Sequence, residues 1–333
     1  MRTGRALLLT LTLSALPLGL ALHAEKPAER LNQAPKSGEV AGTAQTPGDT
    51  GQFGRTYTIQ GNQSLVNVTL LSAEWTVSHL VASDGDQIRP DLKELVIHFT
   101  VQNPTKDLIS AKQIFLSGVD SADNAIDASD ILDEATHHTD YTDLHPGQKQ
   151  AAFVYLQVAD NITIPKLLLQ NGDKVVRFDL HGVPKPLSAP FAAKNPELAL
   201  SPYPGALAAW YPANGADWRL DSLSLQKTSI GGVDPPEGGQ LLVATLSLRG
   251  VGPGQTGVGP YNVQGNLRDT DGQEVTPTAV LFAGRDAALD ATLGSGQTAG
   301  ARVIWQVQAG EKLNTLTLDP AGARPAVFDV SHL

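Results

Sequence analysis

The sequence contains no cysteine, and its only methionine is Met1. Disulfide bonds, thiolate nucleophiles, cysteine-ligated zinc and lipid attachment to a cysteine are therefore excluded. A fold of this chain must rest on side-chain packing and on hydrogen bonds between backbone groups. Domains above about 100 residues bury enough surface for that to suffice.

Clusters of lysine and arginine are also missing, and the formal net charge is -10. An acidic surface repels phosphate backbones and anionic lipid headgroups, so the composition argues against nucleic-acid binding. We expect no nucleic-acid partner.

Long apolar runs are absent except at the start, where residues 6–21 follow two arginines and precede small residues. This pattern is typical of a secretory signal peptide. Cleavage is expected after Ala24, with Ala21 as the second choice, so the signal peptide is assigned to residues 1–24. The run is short for a spanning helix, which needs about 20 apolar residues. An uncleaved anchor is the alternative. The mature chain is expected to be exported, to the periplasm, the cell envelope or the exterior, with no transmembrane segment.

Two parts of the remaining chain resemble each other. Residues 94–101 and 242–249 both alternate apolar and other side chains, with Leu95 and Ile97 on one face of the first segment. Period-two alternation predicts half-buried strands. The Gly-Gln pairs at 147 and 296 each precede a second strand, and each part closes on a short Phe-Asp strand. Matches in the same order predict a duplication.

The strands are short, and turn residues separate them, so the predicted fold is all-β. We expect two tandem immunoglobulin-like antiparallel β-sandwich domains after a signal peptide and a flexible spacer. A short helix over residues 127–136 is expected as an insertion. The predicted boundaries are 25–57 for the disordered spacer, 58–182 for the first domain, 183–214 for a Pro/Ala-rich linker and 215–333 for the second domain.

Each part resembles the extracellular immunoglobulin-like family DUF4352, which occurs in bacterial lipoproteins and secreted antigens. The resemblance rests on a long strand ending in Asn103, an Asp-rich hairpin, Pro146-Gly147 before a strand, and a closing Phe-Asp-Leu strand. The second part departs at Arg249-Gly250 and at Ser295-Gly296. The resemblance implies a fold and a cell-envelope setting, and it carries no catalytic residues over.

The connection over residues 120–145 is the strongest candidate site, because it is rich in acids and histidines and contains no lysine or arginine. The candidate metal ligands are Asp120, Asp123, Asp127, Asp130, Asp133, Glu134, His137, His138, Asp140 and Asp143. Clustered carboxylates suit calcium, whereas histidines with a carboxylate suit zinc or copper. A solvated acidic loop is the alternative.

Aromatic side chains give two further expectations. Trp305 takes the place of Leu156 when the two parts are aligned, which predicts that it packs in the core. Trp210-Tyr211, in the linker, is expected to plug the space between the domains, with an exposed sugar or protein contact as the alternative.

The sequence favours a non-catalytic exported binding or structural module, with an envelope protein or polysaccharide as its unidentified partner and with no cofactor. The first alternative is a metal-binding protein that uses the acidic connection for calcium, zinc or copper. The second is a hydrolase with an unrecognised carboxylate pair. No nucleophile elbow, His-Glu-x-x-His or P-loop lysine is present.

Overall fold

The computed structural model describes residues 50–60, 64–80, 89–110, 114–139, 143–171, 174–252, 254–320 and 323–333. The predicted signal peptide and most of the predicted spacer lie outside these residues. Within them the chain forms strands, and the one helical segment is a turn of 3-10 helix at Pro260–Asn262. The strands pair antiparallel, apart from one short parallel pair and isolated bridges. The prediction of an all-β antiparallel fold is confirmed.

The first half of the chain contains two main sheets. Its strands are β1 (Thr56–Gln60), β2 (Leu65–Thr76), β3 (Leu92–Gln102), β4 (Ile109–Ser110), β5 (Phe115–Val119), β6 (Ala125–Asp127), β7 (Leu132–Asp133), β8 (Asp143–Leu144), β9 (Lys149–Ala159), β10 (Lys166–Asn171) and β11 (Lys174–Asp179). One sheet has the order β1-β2-β3-β9-β7, and the other has the order β11-β10-β5-β6. Strands β4 and β8 form a separate pair.

The second half also contains two main sheets. Its strands are β12 (Tyr203–Pro204), β13 (Trp210–Tyr211), β14 (Ala216–Gln226), β15 (Gln240–Gly250), β16 (Thr256–Val258), β17 (Gln264–Asp269), β18 (Glu274–Val275), β19 (Ala279–Phe282), β20 (Ala291–Leu293), β21 (Thr298–Val307), β22 (Leu313–Asp319) and β23 (Ala326–Asp329). The sheet orders are β13-β14-β15-β21-β19 and β12-β23-β22-β17-β18, with β16 and β20 as a separate pair.

The two halves share one strand order. The order β1-β2-β3-β9-β7 corresponds to β13-β14-β15-β21-β19, and β11-β10-β5-β6 corresponds to β23-β22-β17-β18. An irregularity falls at the same place in both halves, between Leu70 and Ser72 in β2 and between Leu220 and Ser222 in β14. The domain boundaries themselves stay predictions.

The core of each half lies between its two main sheets. In β3, Leu95, Ile97 and Phe99 are buried in the main hydrophobic cluster, as their alternation predicts. A Cβ placed on Gly118 of the opposite sheet would stand 2.6 Å from the side chain of Leu156, so the sheets are in close contact there. Trp305 is 0% exposed, and its predicted place in the core is confirmed.

The prediction of a short helix over residues 127–136 is wrong. This stretch instead contains the end of β6, the two residues of β7 and a turn. Leu132 pairs with Phe153 of β9, which fixes an extended backbone. The Asp133 carboxylate accepts hydrogen bonds from the backbone N–H groups of Ala135 and Thr136. An aspartate that bonds to nearby N–H groups favours a turn over a helix interior.

Strands and packed residues also occupy the segment predicted as a linker. Lys185 N donates to Ala73 O at 2.8 Å, and Trp75 N donates to Lys185 O at 2.9 Å, so the segment begins as a neighbour of β2. Farther on, β12 pairs with β23 and β13 pairs with β14. The connection is therefore attached to both halves.

Candidate functional site

Asp120, the first predicted ligand, stabilises the β5–β6 hairpin. Its Oδ1 accepts hydrogen bonds from the N–H groups of Ala122 and Asn124, both at 2.8 Å. Its Oδ2 accepts one from Asn124 Nδ2 at 3.0 Å. The side-chain bond from Asn124 and then the backbone bonds hold the pKa of Asp120 below its usual value. Both oxygens of this carboxylate therefore serve the turn.

Asp133 has a similar role in the turn after β7. Its Oδ1 accepts from Thr136 N at 2.8 Å and from Thr136 Oγ1 at 3.0 Å, and its Oδ2 accepts from Gln150 Nε2 at 3.2 Å. Burial raises the pKa of Asp133, but the hydrogen bonds from Thr136, Gln150 and Ala135 outweigh it, so the pKa lies below its usual value.

Glu134 and a residue outside the predicted set, His98, form a small polar cluster on the outer face of the first sheet. His98 Nδ1 lies 3.1 and 3.0 Å from the two carboxylate oxygens of Glu134. On the other side of the ring, His98 Nε2 lies 3.6 Å from Glu74 Oε1. Lys185 Nζ lies 3.5 Å from the second oxygen of Glu74. The two carboxylates thus face opposite nitrogens of one imidazole.

The other predicted ligands do not converge. His137 Nδ1 lies 2.8 Å from Leu80 O, and its ring meets the Phe153 ring edge-on with centroids 5.1 Å apart. Asp123 forms an exposed ion pair with Lys166 at 3.3 Å. The remaining described ligands are exposed: Asp127, Asp130, His138 and Asp143. Asp140 lies outside the described residues.

Among the residues that the structure describes, no group of three or more His, Asp or Glu side chains is arranged to hold a metal ion. The structure brings Glu134 to His98 and uses Asp120 and Asp133 in turns. The metal hypothesis stays a prediction.

A buried arginine that sequence analysis missed joins the two halves. Arg324 lies in the connection between β22 and β23, and its side chain is 1% exposed. Its Nε donates to Pro90 O at 2.7 Å, and its Nη1 donates to Leu200 O at 3.0 Å. Its Nη2 donates to Leu92 O at 3.0 Å and to Asp160 Oδ1 at 2.5 Å. Arg324 belongs to the second half, whereas all four of its hydrogen-bond acceptors belong to the first half or to the connection.

A second buried cation, Lys93, lies at the start of β3. Its ammonium group lies 4.1 Å from the ring centroid of Trp75 and donates to the backbone oxygen of Glu197. Burial lowers the pKa of Lys93 to about 8, against the attraction of Asp160 and Glu197. Burial also raises the pKa of Asp160, although Arg324 opposes that shift.

Tyr203 completes this group, with the Arg324 guanidinium 4.6 Å from its ring centroid. We refer to Lys93, Asp160, Tyr203 and Arg324 as the junction. His79 adds a separate contact nearby along the connection, with its Nε2 3.1 Å from Ala213 O and 3.3 Å from Asp217 Oδ1. The one available sequence signal is that Arg324 is the only charge in the apolar run 321–328.

The aromatics Trp210 and Tyr211 pack within the second half. Tyr211 is buried and stacks on Trp218, with ring centroids 4.5 Å apart. Trp210 is half-buried, and the guanidinium groups of Arg219 and Arg249 lie 4.9 and 4.4 Å from its centroid. The predicted plug between the halves is not confirmed, because Tyr211 lies in the core of the second half and Trp210 lies among arginines on its outer face.

Comparison with known proteins identifies no family for this chain. No family model matches the chain, and no curated protein matches it. One solved structure, an uncharacterized β-sandwich protein from Clostridium difficile 630, is 8% identical with a TM-score of 0.30. That match covers 38% of this chain and 91% of the other. None of the described helices has the length and apolar character needed to cross a membrane.

Proposed function

We propose that the chain is a non-catalytic exported protein of the cell envelope or the extracellular space, built from two tandem immunoglobulin-like sandwiches of the DUF4352 type. It serves as a binding or structural module for an envelope protein or polysaccharide. The repeated strand order supports the tandem arrangement. The observation that carries the proposal is the junction, because it holds the two halves together through a buried arginine.

The junction favours a fixed orientation of the two halves. A buried guanidinium needs several acceptors in fixed positions, and Arg324 finds them on Pro90, Leu92 and Asp160 of the first half and on Leu200 of the connection. If the halves changed their relative orientation, the buried guanidinium would lose its hydrogen-bond acceptors. Breaking a buried charge interaction of this kind costs about 3–5 kcal/mol of stability. A rigid pair of sandwiches is suited to presenting surfaces at a constant spacing.

The two turn carboxylates of the acidic connection are unsuited to a general-acid role. The carboxylates of Asp120 and Asp133 accept hydrogen bonds from turn N–H groups, which lower their pKa values. A general acid would need the opposite shift, toward neutral pH.

Export is tested by fractionating cells that express the full chain and sequencing the N-terminus of the product. We expect the mature protein to leave the cytoplasm and to begin at Glu25, or at Leu22 for the second cleavage site. A cytoplasmic product that retains Met1 would contradict the proposal.

Binding is tested with the mature chain immobilised on a surface and exposed separately to envelope polysaccharide and to envelope protein fractions. We expect saturable binding to one of the two, and no turnover of glycan or ester substrates. Absence of binding to both fractions, or turnover that is lost with one Asp or Glu substitution, would contradict a non-catalytic binding role.

A further inference from the structure

The segment that enters the second half runs parallel to the strand that closes it. We refer to residues 200–206 as the entry segment. Tyr203 N donates to Pro325 O at 2.9 Å, and Gly205 N donates to Val327 O at 2.6 Å. Strand β12 of this segment is thus the parallel neighbour of β23, whereas the other pairs among the described strands are antiparallel.

Two side chains add further hydrogen bonds to the entry segment. Arg324 Nη1 donates to Leu200 O at 3.0 Å, which extends the contact by one bond toward the start of both segments. Tyr211 Oη accepts from Ala206 N at 2.8 Å and donates to Pro204 O at 3.0 Å. Since Tyr211 belongs to β13 of the opposite sheet, the entry segment is bonded to both sheets of the second half.

The first half has the same arrangement ahead of β1. Gly51 N donates to Arg177 O at 2.5 Å, in a parallel bridge to Phe178 of the closing strand β11. Tyr57 Oη accepts from Gln52 N at 2.7 Å, so a tyrosine hydroxyl holds this segment as well. Parallel contact between the entering segment and the closing strand is therefore common to both halves.

This parallel contact determines how each half responds to tension. A pull on the two ends of a half draws the entering segment toward its N-terminal side and the closing strand toward its C-terminal side. Two parallel segments then slide along each other, and the hydrogen bonds that lie across the pull are all stretched at once. Antiparallel segments pulled at neighbouring ends would instead separate from one end, and their bonds would break one after another.

We propose that the chain bears tension along its length, from the segment before β1 to the end of β23, and that the two parallel contacts resist it in shear. The role rests on the proposed function, because it specifies the structural module of an exported protein as a mechanical connector. Arg324 also bonds to Pro90 and Leu92 of the first half, so the junction opposes separation of the halves under the same pull.

Single-molecule measurements at constant force on the mature chain test the proposal. Because the sequence contains no cysteine, introduced cysteines are unique attachment points. Attachment at Lys194→Cys and Leu333→Cys pulls the entry segment and β23 in opposite directions along their length. Attachment at Lys312→Cys and Leu333→Cys opens the antiparallel pair β22–β23 from its end, where Val330 N donates to Asn314 O. At equal force, we expect the second half to remain folded at least about tenfold longer in the first geometry.

A conservative variant tests the contribution of the entry segment. Tyr211→Phe removes two hydrogen bonds of this segment and keeps the ring in the core. The lifetime in the Lys194/Leu333 geometry should fall roughly tenfold, since two hydrogen bonds are lost, and the lifetime in the Lys312/Leu333 geometry should change little. Tyr261→Phe, at a side chain 83% exposed, is the matched control and should change neither lifetime.

Equal lifetimes in the two pulling geometries, or a shorter lifetime in the Lys194/Leu333 geometry, would overturn the proposal. A Tyr211→Phe variant that loses lifetime equally in both geometries would overturn it too, because its effect would then be general destabilisation. Thermal unfolding verifies that each variant is folded. The measurements need neither a ligand nor a cell envelope, so their outcome is independent of the export and binding tests of the proposed function.

Discussion

The two halves of the molecule close equivalent hairpins with the same hydrogen bonds. Asp120 Oδ1 accepts from the N–H groups two and four residues later, both at 2.8 Å. Asp269 Oδ1 does the same with Asp271 N at 2.9 Å and Gln273 N at 2.8 Å. The acidic side chain that looks like a metal ligand in the first half is thus a turn residue with a counterpart in the second. Comparing the two halves of one chain thus separates residues that maintain the shared fold from residues that are found in one half alone.

A tyrosine near the start of each half also makes equivalent contacts in both halves. Tyr57 Oη accepts from Gln52 N at 2.7 Å, and Tyr211 Oη accepts from Ala206 N at 2.8 Å. Each tyrosine ring meets the phenylalanine of the closing strand edge-on, with centroids 5.7 and 6.2 Å apart. The segment before β1 and the end of the predicted linker therefore have the same structural task.

The halves differ in how they fill the core. Trp305 and Leu156 occupy equivalent places, since they face Leu242 and Leu95 in the same register. A Cβ on Gly265 would stand 3.4 Å from the Trp305 indole, whereas the equivalent residue of the first half is Leu116. Leu156 in turn lies against Gly118, whose equivalent in the second half is Leu267, so the two halves place their glycine at different positions beside this site.

The largest expected effect comes from emptying these core positions. Trp305→Ala should lower the free energy of unfolding by about 3–5 kcal/mol, and Leu156→Ala by about 2–5 kcal/mol, because both leave cavities. Denaturant titration followed by tryptophan fluorescence and circular dichroism measures both. Tyr261→Ala, at a side chain 83% exposed, is the control and should change little. Equal tolerance of all three substitutions would contradict the packing described.

Removing the junction arginine should have an effect of similar size. Arg324→Met leaves Asp160 and three carbonyl groups without their buried partner, and should cost about 3–5 kcal/mol. The control is Arg268→Met, which breaks an exposed pair with Glu274 and should cost at most about 1 kcal/mol. Calorimetry measures both. An Arg324→Met protein as stable as the control would refute the proposed role of the junction.

A smaller and symmetric effect is expected at two glycines. A Cβ on Gly51 would stand 2.5 Å from the ring of Phe178, and one on Gly205 would overlap the ring of Phe328. Gly51→Ala and Gly205→Ala should therefore each destabilise by about 1–3 kcal/mol through overpacking. Gly254→Ala, where a Cβ would meet nothing, is the control for thermal unfolding. A loss confined to one glycine would break the parallel between the halves.

A further effect depends on pH. Lys93 has a pKa of about 8 in the folded chain, against 10.5 ordinarily, so between these values the unfolded state binds more protons. Stability should therefore rise as the pH rises above about 8, relative to Lys93→Met. Burial raises the pKa of Tyr203, so above about pH 10 that group opposes the gain.

Denaturant titrations at pH 7, 8, 9 and 10 measure this difference. Lys166→Met, at an exposed ion pair, is the control and should run parallel to the wild type. A wild type that loses stability relative to Lys93→Met over this interval would show that the ammonium group is better solvated than its position suggests.

Sequence patterns predicted the parts of the fold that depend on local periodicity. Alternation in β3 and β15 correctly identified which side chains enter the core, because a strand exposes successive residues to opposite faces. The repeat comparison placed Trp305 inside for the same reason. The helix expected over residues 127–136 failed because the turn formed by Asp133 depends on pairing of β7 with β9, which periodicity does not report.

The junction could not be predicted from the sequence. Arg324 meets Asp160 across 164 positions and Leu92 across 232 positions, and three of its four acceptors are backbone oxygens. Any residue type provides a backbone oxygen, so the sequence does not indicate which residues act as these acceptors. The acidic connection, in contrast, was conspicuous in the sequence because its residues are close together, yet its described members have separate roles.

The junction has a consequence for the integrity of the protein after cleavage. Arg324 bonds to Pro90, Leu92 and Asp160 of the first half, so the peptide chain is not the sole link between the halves. A protease cut in the exposed stretch at residues 194–196 would sever the covalent link while leaving the other in place. The nicked molecule would migrate as two fragments under denaturing conditions and as one particle in their absence.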